Sequence, residues 1–110
     1  MDFAERAARN EEVFRSVNAR IEKGVEMHHV PGQVRYHCEC GLGPCFETLA
    51  LDHADYERVA AQRYHFVVVP GHEDSTIERV VESHGDFLVV EKIGEARRQI
   101  DRDHPQERHS

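Results

Sequence analysis

Apolar residues recur at three- and four-residue spacing over the first part of the chain, which is the pattern of an amphipathic helix. Gly24 follows as a C-terminal stop signal, so we predict a helix over residues 2–23 that packs on its own core. The alternative is a stripe that packs against a second copy of the chain. The stripe consists of Phe3, Ala7, Phe14, Val17 and Ile21, with Asn10 as a polar interruption.

Turn signals and short apolar runs predict a hairpin in the next segment. Residues 25–33 are irregular in pattern and contain a Pro-Gly turn signal at 31–32. A strand over 34–37 is predicted to enter a cysteine-rich segment. A second strand over 46–51, with Phe46, Leu49 and Leu51 as its apolar positions, is predicted to leave it. Two strands joined in this way resemble a zinc-knuckle turn.

The remaining segments predict one more helix and further strands. Asp52 is a suitable N-cap for a helix over 53–62, with Tyr56, Val59 and Ala60 on its buried face. The β-branched and aromatic run at 66–69 predicts a central strand. Two further apolar segments flank a turn signal at 83–86 and predict a hairpin over 77–92.

The last residues are predicted to form a disordered tail. Residues 97–110 carry many charges, few apolar groups and Pro105. The predicted organisation is therefore a single domain over 1–96, which contains the zinc site, followed by a tail over 97–110. Its fold class is α+β, with the N-terminal helix packed on a small, mainly antiparallel sheet and a zinc-knuckle-like turn.

Composition leaves only a modest core. The chain has 110 residues, of which 39% are hydrophobic and 32% are charged. A chain of this size folds as one domain with a small stability margin. A covalent or metal-mediated link between distant segments would therefore add useful stability.

Charge and hydropathy argue against two classes of partner. The formal net charge is −7, so the chain as a whole lacks the basic footprint of nonspecific nucleic-acid binding. No apolar run approaches the roughly 20 residues of a spanning helix, and the acidic charge disfavours anionic membrane surfaces. The N-terminal segment has neither the basic start nor the apolar block of a signal peptide. We therefore expect a cytoplasmic protein.

All three cysteines lie within eight residues, at 38, 40 and 45. Three thiols on a turn-forming backbone point to a metal site, with zinc as the first candidate. Gly41 and Gly43 allow the chain to fold back, and Pro44 stiffens it ahead of the last thiol. The alternative is a redox site, in which Cys38 and Cys40 form a strained disulfide and Cys45 resolves it.

A structural zinc site needs a fourth ligand. We favour His72, which follows Pro70-Gly71 directly after a predicted strand, because such a turn can direct a side chain back towards the hairpin. His37 is adjacent to Cys38, but on a strand it points to the opposite side. The reserve candidates are His28, His29 and His53.

Five blocks follow one another in a recognisable order: residues 9–22, 38–40 with Cys45, 55–59, 66–72 and 88–96. This order resembles a family of small uncharacterised actinobacterial proteins with a Cys-Glu-Cys…Cys…Pro-Gly-His pattern. The resemblance covers roughly residues 9–96 and supports His72 as the partner of the thiols. It implies little about function.

Familiar catalytic motifs are absent from the sequence. It contains no His-Glu-x-x-His, no deaminase-type His-x-Glu followed by Cys-x-x-Cys, no Gly-x-Ser-x-Gly and no phosphate-binding loop. Glu39 and Glu73 lie next to ligand candidates and are candidate bases for a metal-bound water, but we expect them to be solvated or to support the ligands.

The predicted function is therefore a small zinc-stabilised binding or regulatory protein that contacts another protein or forms a homodimer. A metal-dependent or thiol-based enzyme is the alternative.

Overall fold

Three helices and five strands make up the part of the chain that the structure, a computed structural model, describes. That part comprises residues 3–28, 32–40 and 45–103, with the backbone alone described for 3–14 and 103. The elements are α1 Phe3–His28, β1 Gln33–His37, β2 Thr48–Asp52, α2 His53–Ala60, β3 His65–Val68, β4 Glu78–Ser83, β5 Leu88–Lys92 and α3 Gly94–Asp103.

The strands form two small antiparallel sheets. β1 pairs with β2, so that Tyr36 lies opposite Leu49 and Val34 opposite Leu51. The second sheet has the order β3-β5-β4. Both sheets and the long first helix belong to one mixed architecture, which confirms the predicted α+β class.

One core lies between the β1–β2 hairpin, α2 and one face of the second sheet. Its centre is a stacked pair of buried rings, Tyr36 and Tyr56, with centroids 4.3 Å apart. Alternation along β1 and β2 supplies one inward side chain every second residue, as expected for a half-buried hairpin. The buried members are Tyr36, Leu49, Leu51, Tyr56, Val59, Val67, Phe87 and Val89.

A second core lies on the other face of the β3-β5-β4 sheet and includes the cysteines. Because side chains alternate along a strand, β3 sends Val67 to the first core and Phe66 and Val68 to the second. Burial on both faces explains why β3 and β5 are continuous apolar runs. The buried members are Cys38, Cys40, Cys45, Phe66, Val68, Leu88, Val90 and Ile100.

The first helix is longer than predicted, and its buried face differs in part from the predicted stripe. It continues through Gly24 to His28, and Val25 beyond the glycine is buried. That burial offsets the cost of about 1 kcal/mol for glycine within a helix. Val17 is 40% exposed, whereas the adjacent Asn18 is fully buried. The predicted stripe was therefore wrong at Val17, and the side chains of Phe3, Ala7, Asn10 and Phe14 lie outside the described residues.

The predicted tail is also partly wrong. Residues 97–103 belong to α3, which buries Ala96 and Ile100 one helical turn apart. Arg63 pairs with Asp101 at 3.1 Å and so connects the helix to the segment before β3. Packing of one helical face on the core stabilises this charged segment as a helix, and composition alone does not indicate such packing. Residues 104–110, with Pro105, lie outside the described residues.

Two strand predictions need correction as well. β5, not β3, is the centre of its sheet. The segment after β1 covers the outer edge of β3, because the Glu39 amide donates to the Val67 carbonyl at 2.8 Å. In the first sheet, β2 begins at Thr48, and Phe46 is 84% exposed instead of being an apolar strand position. The predicted hairpin over 77–92 is confirmed by the antiparallel pairing of β4 with β5.

Candidate metal centre

Three separate segments converge on the cysteines. Cys38 and Cys40 follow β1, Cys45 precedes β2, and His72 follows β3. One ligand atom from each of these four residues lies within 4.8 Å of all the others. The Sγ atoms of Cys38 and Cys45 are each 3.6 Å from Nδ1 of His72. The structure therefore brings together the predicted set of three thiols and one imidazole.

The site is enclosed on its sulfur side. Cys38, Cys40 and Cys45 are 0%, 1% and 7% exposed, whereas the His72 side chain keeps 25% of its surface in contact with solvent. Contact with the Cys40 thiol and burial raise the pKa of the Cys38 thiol, and burial raises that of Cys45. Without a cation these two thiols are therefore protonated near neutral pH, and a metal ion would displace their protons.

The Cys-x-Cys spacing is explained by the chain that continues β1. Side chains alternate between the two sides of such a chain, so residues two apart share a side. Cys38 and Cys40 thus face His72, while the side chain of Glu39 between them points towards the helices. The amide of Val69 donates to the Cys38 Sγ at 3.2 Å and helps to fix the first thiol.

The turn after β3 places His72 as predicted. The His72 amide donates to the Val69 carbonyl at 2.9 Å, which closes the turn. Gly71 has φ of 98°, a conformation that residues with a Cβ rarely adopt. The Pro-Gly pair therefore reverses the chain at a position where the next side chain returns to the thiols.

Glu47 is a part of the site that sequence reasoning missed. Its carboxylate lies 3.0 Å from Nε2 of His72, on the side of the ring opposite the thiols. A carboxylate in this position fixes the ring orientation and leaves Nδ1 directed at a metal. The Glu47 carbonyl also accepts a hydrogen bond from the Cys38 amide at 3.0 Å. The position of Glu47 two residues after Cys45 hardly indicates this role in the sequence, because the role depends on the contact with His72, which is distant in sequence.

Glu39 is buried rather than solvated. It is fully enclosed, and its two carboxylate oxygens accept hydrogen bonds from the helices and from β3. These oxygens are occupied by donors other than a metal-bound water, so Glu39 is not placed as a base. The donors are Tyr56 Oη at 2.7 Å, Asn18 Nδ2 at 2.8 Å, the Val67 amide at 3.1 Å and Arg15 Nε at 3.3 Å.

Glu73, the second candidate base, is exposed as expected. Its carboxylate accepts a hydrogen bond from the Gly71 amide at 2.8 Å and so caps the turn that carries His72. It therefore contributes to the shape of the turn.

The other histidines considered as ligands lie elsewhere. Nδ1 of His37 is 2.7 Å from the Cys38 carbonyl oxygen, and His28 is exposed at the end of α1. His53 contacts Glu22 within a second group of ligand-type side chains, which also includes Glu26 and Glu57. His29 and the turn residues Gly41, Gly43 and Pro44 lie outside the described residues, so the predicted knuckle shape of the turn stays a prediction.

Comparisons with protein-family models, with curated proteins and with solved structures find no match. The resemblance to the actinobacterial family therefore stays a prediction. Among the helices described, none is both long and apolar enough to cross a membrane.

Proposed function

We propose that this chain is a small zinc-stabilised protein that acts as a binding and regulatory module by contacting another protein. The observation that carries the proposal is the meeting of four ligand atoms, from Cys38, Cys40, Cys45 and His72, within 4.8 Å of one another. A single ion at their centre would link the end of β1, the start of β2 and the turn after β3. In a chain with a modest core, such a link has a clear stabilising role.

The chemistry of the ligands favours zinc. Thiolates are soft ligands that suit Zn²⁺, and three thiolates with one imidazole form one of its usual structural sets. A sulfur about 2.3 Å and a nitrogen about 2.0–2.1 Å from a tetrahedral zinc ion lie roughly 3.5–3.6 Å apart. The two sulfur–nitrogen distances to His72 are 3.6 Å.

A structural role fits better than a catalytic one. Four protein ligands complete a tetrahedron and leave no position for water, whereas catalytic zinc sites keep one open. The carboxylate of Glu39 lies on the side of the chain away from the thiols and accepts hydrogen bonds from α1, α2 and β3, so it is not available as a base. Burial of the thiols also disfavours a thiol-based enzyme, since reactive cysteines are accessible and have lowered pKa values.

A protein partner is favoured by the surface beside the metal site. Phe46 is 84% exposed directly after the ligand Cys45. Aromatic side chains are typical anchors in protein interfaces. With an ion bound at Cys45, the backbone beside Phe46 would be fixed, and less conformational freedom would be lost when a partner binds. A second copy of this chain is the other partner that we consider.

The zinc site can be tested on the purified native protein. Elemental analysis should give one zinc ion per chain. After Co²⁺ substitution, the absorption spectrum should show thiolate coordination in a tetrahedral field and should not change on addition of azide or cyanide at concentrations that leave the protein folded. A spectrum that changes with these small anions would reveal an open position and favour a metal-dependent enzyme. Protein without bound metal would refute the proposal.

The binding role needs a separate test. Wild-type protein and the variant Phe46→Ala, both loaded with zinc, should be used to capture partners from the cells that make the chain, and sedimentation should report self-association. We expect a reproducible partner, or a dimer, that the variant loses. Equal recovery by both proteins would remove Phe46 as the anchor, and a strict monomer without any partner would count against a binding module.

A further inference from the structure

We propose that Glu39, which does not bind the metal, positions the Cys38 and Cys40 thiols, so that metal affinity depends on the hydrogen bonds that Glu39 accepts. This inference rests on the proposed zinc site. It assigns a role to a carboxylate that is fully buried although no metal contact requires it. Residues of α1 and α2 that bond Glu39 would then also affect metal affinity.

Glu39 is clamped to β3 at two points. Its amide donates to the Val67 carbonyl at 2.8 Å, and its Oε1 accepts from the Val67 amide at 3.1 Å. The N–H and the carbonyl of Val67, on the edge of β3 that faces away from β5, are therefore both hydrogen-bonded to Glu39. The clamp fixes the chain midway between two ligands, at the level of the strand that leads to His72.

Three side chains from the helices hold the other carboxylate oxygen. Oε2 accepts hydrogen bonds from Tyr56 at 2.7 Å and from Asn18 at 2.8 Å, and Arg15 pairs with it at 3.3 Å. Asn18 also fixes His37, two residues before Glu39, since its side-chain amide bonds both the N–H and the carbonyl of His37, at 2.7 and 2.8 Å. The helices therefore determine where this short segment lies.

Fixing Glu39 fixes the thiols on both sides of it. Glu39 is bonded through both its backbone amide and its carboxylate. Loss of the carboxylate bonds would therefore loosen the backbone that carries Cys38 and Cys40, whose side chains lie on the opposite side of the chain. Metal sites lose affinity when their ligands are held less well, and loss of an orienting partner typically weakens binding 10- to 100-fold. The same logic applies to Glu39, with the orientation transmitted through the backbone.

The stacked tyrosines provide a matched pair of variants. Tyr56 and Tyr36 are both buried, and their rings lie 4.3 Å apart and nearly parallel. The hydroxyl of Tyr56 donates to Glu39, whereas that of Tyr36 donates to Glu22 at 2.5 Å. Tyr56→Phe and Tyr36→Phe therefore remove the same atom from the same core, and only the first loses a bond to Glu39.

The test is a competition titration of Zn²⁺ against a chromophoric chelator, with wild type, Tyr56→Phe, Tyr36→Phe and Glu39→Gln. We expect Tyr56→Phe and Glu39→Gln to weaken zinc binding about tenfold and to alter the Co²⁺ spectrum of the fully loaded protein, with Tyr36→Phe unchanged in both. Thermal unfolding of all four proteins shows how much stability each variant loses.

The outcomes separate this inference from the proposed zinc site. Wild-type protein that binds no metal would overturn both. Wild-type protein that binds one ion, with equal affinities for the two tyrosine variants, would overturn the positioning role alone. If Glu39→Gln does not fold, the two tyrosine variants still decide the question, because each removes one hydroxyl and keeps the ring.

Discussion

Two groups of four ligand-type side chains occur in the part of the chain that the structure describes, and they differ in nearly everything except spacing. The thiol group is Cys38, Cys40, Cys45 and His72. The acidic group is Glu22, Glu26, His53 and Glu57. In both, the potential ligand atoms lie within 4.8 Å of one another. Proximity therefore does not distinguish them, and other properties must.

The first difference is burial. The three thiols are buried, whereas Glu26 and Glu57 of the acidic group are exposed. Exposed carboxylates are well hydrated, so a cation must compete with water for them. A buried thiol has no such hydration to lose. Enclosure thus favours an ion in the thiol group and gives the acidic group no comparable preference.

The second difference is how the histidine is held. Nε2 of His72 lies 3.0 Å from Glu47, outside the group, so Nδ1 remains directed at the thiols. In the acidic group, Nδ1 of His53 contacts Glu22 itself. The only imidazole of that group is therefore already paired with one of its carboxylates. An imidazole held from outside the ligand set therefore distinguishes the thiol group from the acidic group.

Removal of the metal should produce the largest effect. The apparent free energy of zinc binding in a site of this kind is on the order of 10 kcal/mol, similar to the whole net stability of a small domain. We expect a strong chelator to unfold the protein or to lower its Tm greatly, as followed by circular dichroism during heating. Chelator saturated with zinc beforehand is the control. Protein verified as metal-free with an unchanged Tm would contradict a structural role.

The two histidines allow the comparison to be tested by the same substitution. His72→Ala removes one of four ligands and should lower the Tm of the zinc-loaded protein by about 10 °C or more, since each kcal/mol is worth roughly 4–8 °C in a domain of this size. His53→Ala leaves a buried Glu22 oxygen without its partner and should cost about 1 kcal/mol, with no loss of zinc. Calorimetry and zinc content measure both. Equal losses of zinc in the two variants would abolish the distinction between the groups.

Single carboxylates should give a smaller contrast. Glu47→Gln weakens the partner of His72 and should lower zinc affinity about tenfold, at the low end of the usual range, because the Glu47 side chain is 60% exposed. Glu26→Gln, the matched change in the acidic group, should leave zinc affinity unchanged. Competition titration decides between them. An unaltered affinity in Glu47→Gln would mean that the thiols alone orient the ion.

The sequence was sufficient where the signal was local. Three cysteines in eight residues and a Pro-Gly turn after a β-prone run indicated the thiol group, and the structure brings those four residues together. Turn signals likewise located both hairpins. In each case the residues that determine the conformation lie within a few positions of one another.

Features that depend on distant packing could not be predicted. Asn18 is buried because its amide matches the backbone of His37, and Glu39 is buried because donors from two helices and β3 surround it. Neither residue carries a local sign of this. The helical state of residues 97–103 likewise depends on the site that receives Ile100. Polar residues in the core were thus the main errors, since their partners are far away in sequence.

The smallest effect is expected for an exposed ion pair, whose coupling energy shows how much surface charges contribute to stability. Arg58 pairs with Glu82 at 2.8 and 3.0 Å, and contact with Arg58 and then His84 lowers the pKa of Glu82 to about 2. The stabilisation that accompanies this lowered pKa is fully present above the ordinary value of 4.5 and is lost only on acidification towards 2. The Glu82 carboxylate should therefore keep its charge between about pH 6 and 8.

A double-mutant cycle with Arg58→Ala and Glu82→Ala at neutral pH should give a coupling of about 0.2–1 kcal/mol. The Arg58 side chain is 50% exposed, so solvent screens the pair and added salt should reduce the coupling further. Urea unfolding of the zinc-loaded protein measures it. A coupling well above this range would mean that surface charges contribute more than their exposure indicates. The acidic group would then have to be considered as a second determinant of stability beside the thiol group.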